Sequence, residues 1–227
     1  GAEQGVTLMP ADTSGWDNGA VDLYDLDYPV DYIVRALPTI ENIDGDQPEV
    51  LFWNDFVGRG GDNEWLFALN NIGMQLGIDY DMYATNGPSS GVGNGLGGRA
   101  SSAQLAGYET LLYTSGDLSV NLIANGDFNN DPSNDIQIVQ NWFAQGDKNA
   151  FFTGDEFVRG MRDAGADGEA FINTYLPVSF VQNNVGPLIG NQTAPLVNTI
   201  DGNGIITRVP EWIAYGGCLG INSFDAV

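Results

Sequence analysis

The stretch Glu49-Val50-Leu51-Phe52-Trp53-Asn54-Asp55 decides the fold. Its four consecutive apolar residues show no polar alternation, so Val50 to Trp53 suits a strand buried on both faces, as in a parallel sheet. Asp55 stands just past its end. Beyond it, residues 64–76 place Trp65, Leu66, Leu69, Ile72, Met74 and Leu76 near one face of a helix, with Gly77 as its C-cap. Asp79 to Tyr83, Thr110 to Thr114 and Ala150 to Thr153 read as three further strands. A helix over about residues 134–145 buries Ile136, Ile138, Val139, Trp142 and Phe143, and an amphipathic segment after Glu156 ends near Gly165. Strand, helix and strand in repetition predict an α/β fold, a parallel sheet with helices on both faces. Val50 to Phe52, Met82 to Tyr83, Leu111 to Tyr113 and Phe151 to Phe152 are expected to be central in it and mostly buried.

Outward from this body the pattern changes. Residues 1–48 are rich in Asp, Gly and Pro and read as an N-terminal arm or partial neighbouring unit, with Tyr32 to Leu37 as a strand between Pro29 and Pro38. Residues 49–227 form the α/β domain. Its C-terminal extension is β-rich, with Val178 to Val181 and Ile205 to Val209 as sheet-edge strands or an appended hairpin. Residues 86–98 are the strongest loop signal in the chain. Gly93, Gly95 and Gly98 match G-x-G-x-x-G there, but a dinucleotide fingerprint belongs after the first strand and this one follows the second. A mobile surface loop is expected.

Composition removes several functions. The 227 residues carry 30 acidic groups against seven basic ones, a formal net charge of -23. Phosphate binding needs clusters of Lys and Arg, so nucleic acid is not an expected partner. With no His, a Ser-His-Asp or Cys-His mechanism lacks its proton carrier. One Cys excludes an internal disulfide, and Cys218 has no basic neighbour to generate a thiolate, so a buried inert thiol is expected. No apolar run reaches the length of a membrane helix, and no membrane insertion is expected. The acid excess, mostly Asp, suits a salty or calcium-containing exterior, where counter-ions screen self-repulsion. An ordinary acidic soluble surface would read the same way. Asn191-Gln192-Thr193 is a glycosylation sequon if the chain is secreted by a eukaryote.

Open α/β sheets bind ligands beyond the carboxyl ends of their strands, where this chain offers Asp55, Asp117, Asp155 and Glu156. Converging carboxylates suit a hard cation such as calcium, while Asp after a strand is equally a helix N-cap. A second acidic group, Asp127, Asp131 and Asp135 with Asn129 and Asn130 between, has the oxygen density of a calcium loop without the spacing of an EF-hand. Solvation of a long connection is the plainer account of it.

The motifs VLFWND, LGIDYDMY, LAGYETLLYTSGD and NWFAQGDKNAFFTGDEF, within residues 49–176, resemble the class I glutamine amidotransferase-like, flavodoxin-like domains of large secreted bacterial proteins. The closing GGCLGINSFDAV resembles the segment that ends such domains. The resemblance implies a flavodoxin-like sheet and a Gly-x-Cys-x-Gly elbow at Thr153 to Phe157. There only Gly154 matches, an acid holds the nucleophile position, and His is missing, so the catalytic residues are not carried over. The expected function is a non-catalytic extracellular or cell-surface module for binding, adhesion or assembly. Its partners would be other domains or subunits of an extracellular assembly, or glycan, and calcium is its candidate structural ion. The alternative is a divalent-metal-dependent hydrolase using the strand-end carboxylates. A third reading is a carbohydrate enzyme with two carboxylates, one of them Asp155 or Glu156.

Overall fold

The computed structural model describes residues 47–55, 61–85, 95–116, 118, 122–123, 133–184 and 186–190, with 196–197, 212–213 and 227. Four strands, β1 (Val50–Asn54), β2 (Tyr80–Ala84), β3 (Thr110–Thr114) and β4 (Asn149–Thr153), form one sheet in the order β2-β1-β3-β4. All its pairings are parallel, and Val50 is level with both Tyr80 and Thr110, which is level with Asn149. The chain therefore has an α/β, flavodoxin-like fold, with strand order reversing between β1 and β3.

Among the described residues six α-helices, α1 (Asp62–Asn71), α2 (Leu96–Arg99), α3 (Ser102–Leu105), α4 (Asp135–Phe143), α5 (Phe157–Asp163) and α6 (Ala166–Tyr175), cover the sheet unequally. On one face Leu51, Trp53, Tyr83, Leu111 and Tyr113 meet Leu96, Leu105, Ile136, Val139, Trp142, Phe157, Met161 and Phe171 from α2 to α6. On the other, α1 brings Trp65 and Leu69 against Phe52 and Tyr80. The larger core is strongly aromatic: Tyr113 lies edge-on to Trp53 at 5.0 Å, and Phe152 stacks on Phe157 at 5.3 Å.

Three expectations are corrected here. The first helix ends at Asn71, not near Leu76, because Gly73 takes the left-handed conformation at φ 87. Met74 then donates to the Leu69 carbonyl and Gly73 to that of Asn70, the bond pattern of a Schellman terminus. Ile72 and Leu76, placed on the buried face by periodicity, are consequently 73% and 56% exposed. Secondly, among the described residues only β1 and β3 have a strand on both sides, and Phe151 of β4 is 46% exposed. Thirdly, Val178 to Val181 form no strand. Instead, β5 (Leu196–Val197) pairs antiparallel with β6 (Trp212–Ile213), while Ile205 to Val209 and the proposed N-terminal arm lie outside the described residues.

Helices α5 and α6 approach at backbone distance through Gly168, where a Cβ would stand 1.8 Å from the Met161 carbonyl oxygen. Gly→Ala inside a helix ordinarily stabilises by up to about 1 kcal/mol. Gly168→Ala should instead destabilise by about 1–3 kcal/mol, because the helices must part. Urea unfolding followed by far-UV circular dichroism checks the sign.

Candidate functional site

The common register brings all four strands to their ends together, so Thr85, Asp55, Ser115 and Gly154 follow one another across the carboxyl edge of the sheet. The backbone ladder continues one step beyond the strands: Thr85 N–H donates to the Asn54 carbonyl, Asp55 N–H to Thr114, and Ser115 N–H to Thr153. Asp55 therefore sits on β1 at the reversal of strand order, the position at which open α/β sheets usually hold ligands.

Its carboxylate is nevertheless drawn into the protein. Asp55 is 4% exposed. The Tyr113 hydroxyl donates to Oδ2 at 2.7 Å, and the Thr85 hydroxyl lies 2.5 Å from Oδ1 and 2.9 Å from the Asp55 carbonyl. One acid thus ties β1 to β3 and to β2. Asp135, the first residue of α4, approaches from the helix layer and is fully buried. It accepts from Gly97 N–H at 2.5 Å, and a Cβ on Gly95 would fall 2.3 Å from its Oδ2. Ser133 accepts from Gly95 N–H at 2.9 Å, and the Tyr83 hydroxyl donates to the Gly95 carbonyl at 3.3 Å. The mobile-loop expectation for residues 86–98 is thereby corrected at residues 95–97. Gly95 and Leu96 are buried, and the segment is held onto the start of α4. Residues 86–94, with Gly93 of the Gly-x-Gly pattern, lie outside the described residues.

Asp55 and Asp135 share an influence on Tyr113. Burial pushes the Tyr113 hydroxyl well above its ordinary 10.0. The Asp55 charge, the hydrogen bond to Asp55 and the Asp135 charge push it further up, opposed by a hydrogen bond with Ser115. Asp55 at the end of β1 and Asp135 at the start of α4 thus both act on the Tyr113 phenol.

The other expected ligands are placed differently. Asp155 N–H donates to the Gly116 carbonyl at 3.0 Å, continuing the ladder between the ends of β3 and β4. Glu156 turns to Arg159 in an ion pair of 2.7 Å along α5. Asp117, Asp127 and Asp131 lie outside the described residues, as do Cys218 and the sequon at Asn191. Among the described residues no group of three or more His, Cys, Asp or Glu is placed to hold a metal ion.

Sequence reasoning missed Tyr113, Thr85, Ser115 and Ser133, and also Asp81. This last acid lies within β2, 8% exposed, and its Oδ2 accepts from the Tyr108 hydroxyl at 2.5 Å. An acid inside an apolar strand was a signal that could have found it, whereas nothing local marks Tyr113 as more than a core aromatic. A cavity of about 10 Å³ lies between Leu51 and Leu111 of the sheet and Leu96, Leu105, Val139 and Trp142 of the helices. That is room for at most one water, with apolar walls unsuited to it.

Comparisons with family models, with curated proteins and with solved structures gave no significant match.

The raised Tyr113 fixes the sign of an alkaline effect. An unfolded Tyr ionises near pH 10, while the folded one keeps its proton above that. The stabilisation is therefore whole below about pH 10 and declines as pH rises towards the folded value, by up to about 1.4 kcal/mol per pH unit. Tyr80, also raised by burial, adds to the same slope. Tyr113→Phe should be less stable than wild type at about pH 8 and should lose stability less steeply towards about pH 11. Urea midpoints across that range measure both.

Proposed function

We propose that this chain is a non-catalytic extracellular module for binding, adhesion or assembly, with calcium as a candidate counter-ion for its acidic surface. The observation that carries the reading is the use made of Asp55. At the position where this sheet type holds ligands, both carboxylate oxygens accept hydrogen bonds from the domain's own Tyr113 and Thr85. Asp135, the neighbouring acid, accepts from Gly97 N–H through Oδ1. A hydrolase would need a carboxylate able to reach water or a substrate. These two are 4% and 0% exposed. Glu156, one of the two acids at the elbow, pairs with Arg159. The resemblance to amidotransferase-like modules of secreted bacterial proteins points the same way, since the catalytic Cys and His of that family have no counterparts here.

An exterior location is supported by composition. Thirty acids against seven bases generate self-repulsion that a salty medium screens, and divalent cations screen it most strongly.

Two measurements on the purified chain test this. Hydrolysis of p-nitrophenyl phosphate and p-nitrophenyl acetate with Mg²⁺, Mn²⁺ or Ca²⁺ should not exceed buffer, and Asp55→Asn should lower the melting temperature. Turnover that Asp55→Asn abolishes in a folded protein of unchanged melting temperature would instead establish the hydrolase. For the ion, millimolar CaCl₂ should raise the melting temperature more than NaCl of equal ionic strength, and EDTA should reverse the excess. Equal shifts would remove calcium from the account and leave general screening.

A further inference from the structure

We draw no further inference here: the strongest candidate, the apolar surface of α1 and the turn after it where Phe67, Ile72 and Leu76 are exposed, carries nothing because nothing among the described residues shows what covers it.

Discussion

The hydrogen bond from Tyr113 to Asp55 is the contact on which the carboxyl edge of the sheet depends. A carboxylate taken out of water is tolerated only when donors replace its hydration, and here the donors come from the strands on either side of β1. Tyr113 reaches across from β3 and Thr85 from β2, so the acid closes three strand ends into one polar unit. Tyr113 is also the hub of the aromatic core, edge-on to Trp53 and packed against Phe152 and Phe157. Its hydroxyl therefore connects the driest part of the molecule to the most polar one. Removing either partner leaves the other buried without its bond, a penalty of about 1–3 kcal/mol.

The same logic organises the layer above. Asp135 begins α4, where a negative charge is favourable to the helix dipole, and holds the Gly95 to Gly97 backbone by direct contact. Lys148, the only lysine of the chain, likewise donates to two backbone carbonyls. In this domain the informative charges face inwards and serve the fold. Among the described residues the sheet is covered unevenly, by five helices on one face and by α1 on the other.

Much of the fold was legible because parallel strands are short apolar runs, and Val50 to Trp53 and Thr110 to Thr114 have no polar interruption. Asp55 was legible as a strand-end residue for the same reason. Its role was not, since its partners lie 30 and 58 residues away and are chosen by strand register, about which local periodicity is silent. The extent of α1 was misread because its apolar spacing runs past Gly73, whose left-handed backbone stops the helix first. The docking of Gly95 to Arg99 was hidden by composition: glycines that signal a loop also let backbone approach a buried carboxylate closely. Phe151 looked central because its run is apolar, and sequence does not say that β4 ends the described sheet.

The central claim is that Asp55 and Tyr113 act as one structural unit. A double-mutant cycle of Asp55→Ala and Tyr113→Phe, read from urea unfolding near neutral pH, tests it most directly. The account predicts that the two losses are not additive, with a coupling of about 1–3 kcal/mol, because either change alone already breaks the shared bond. Additive losses, with coupling near zero, would contradict it and return Asp55 to the list of acids free for other chemistry.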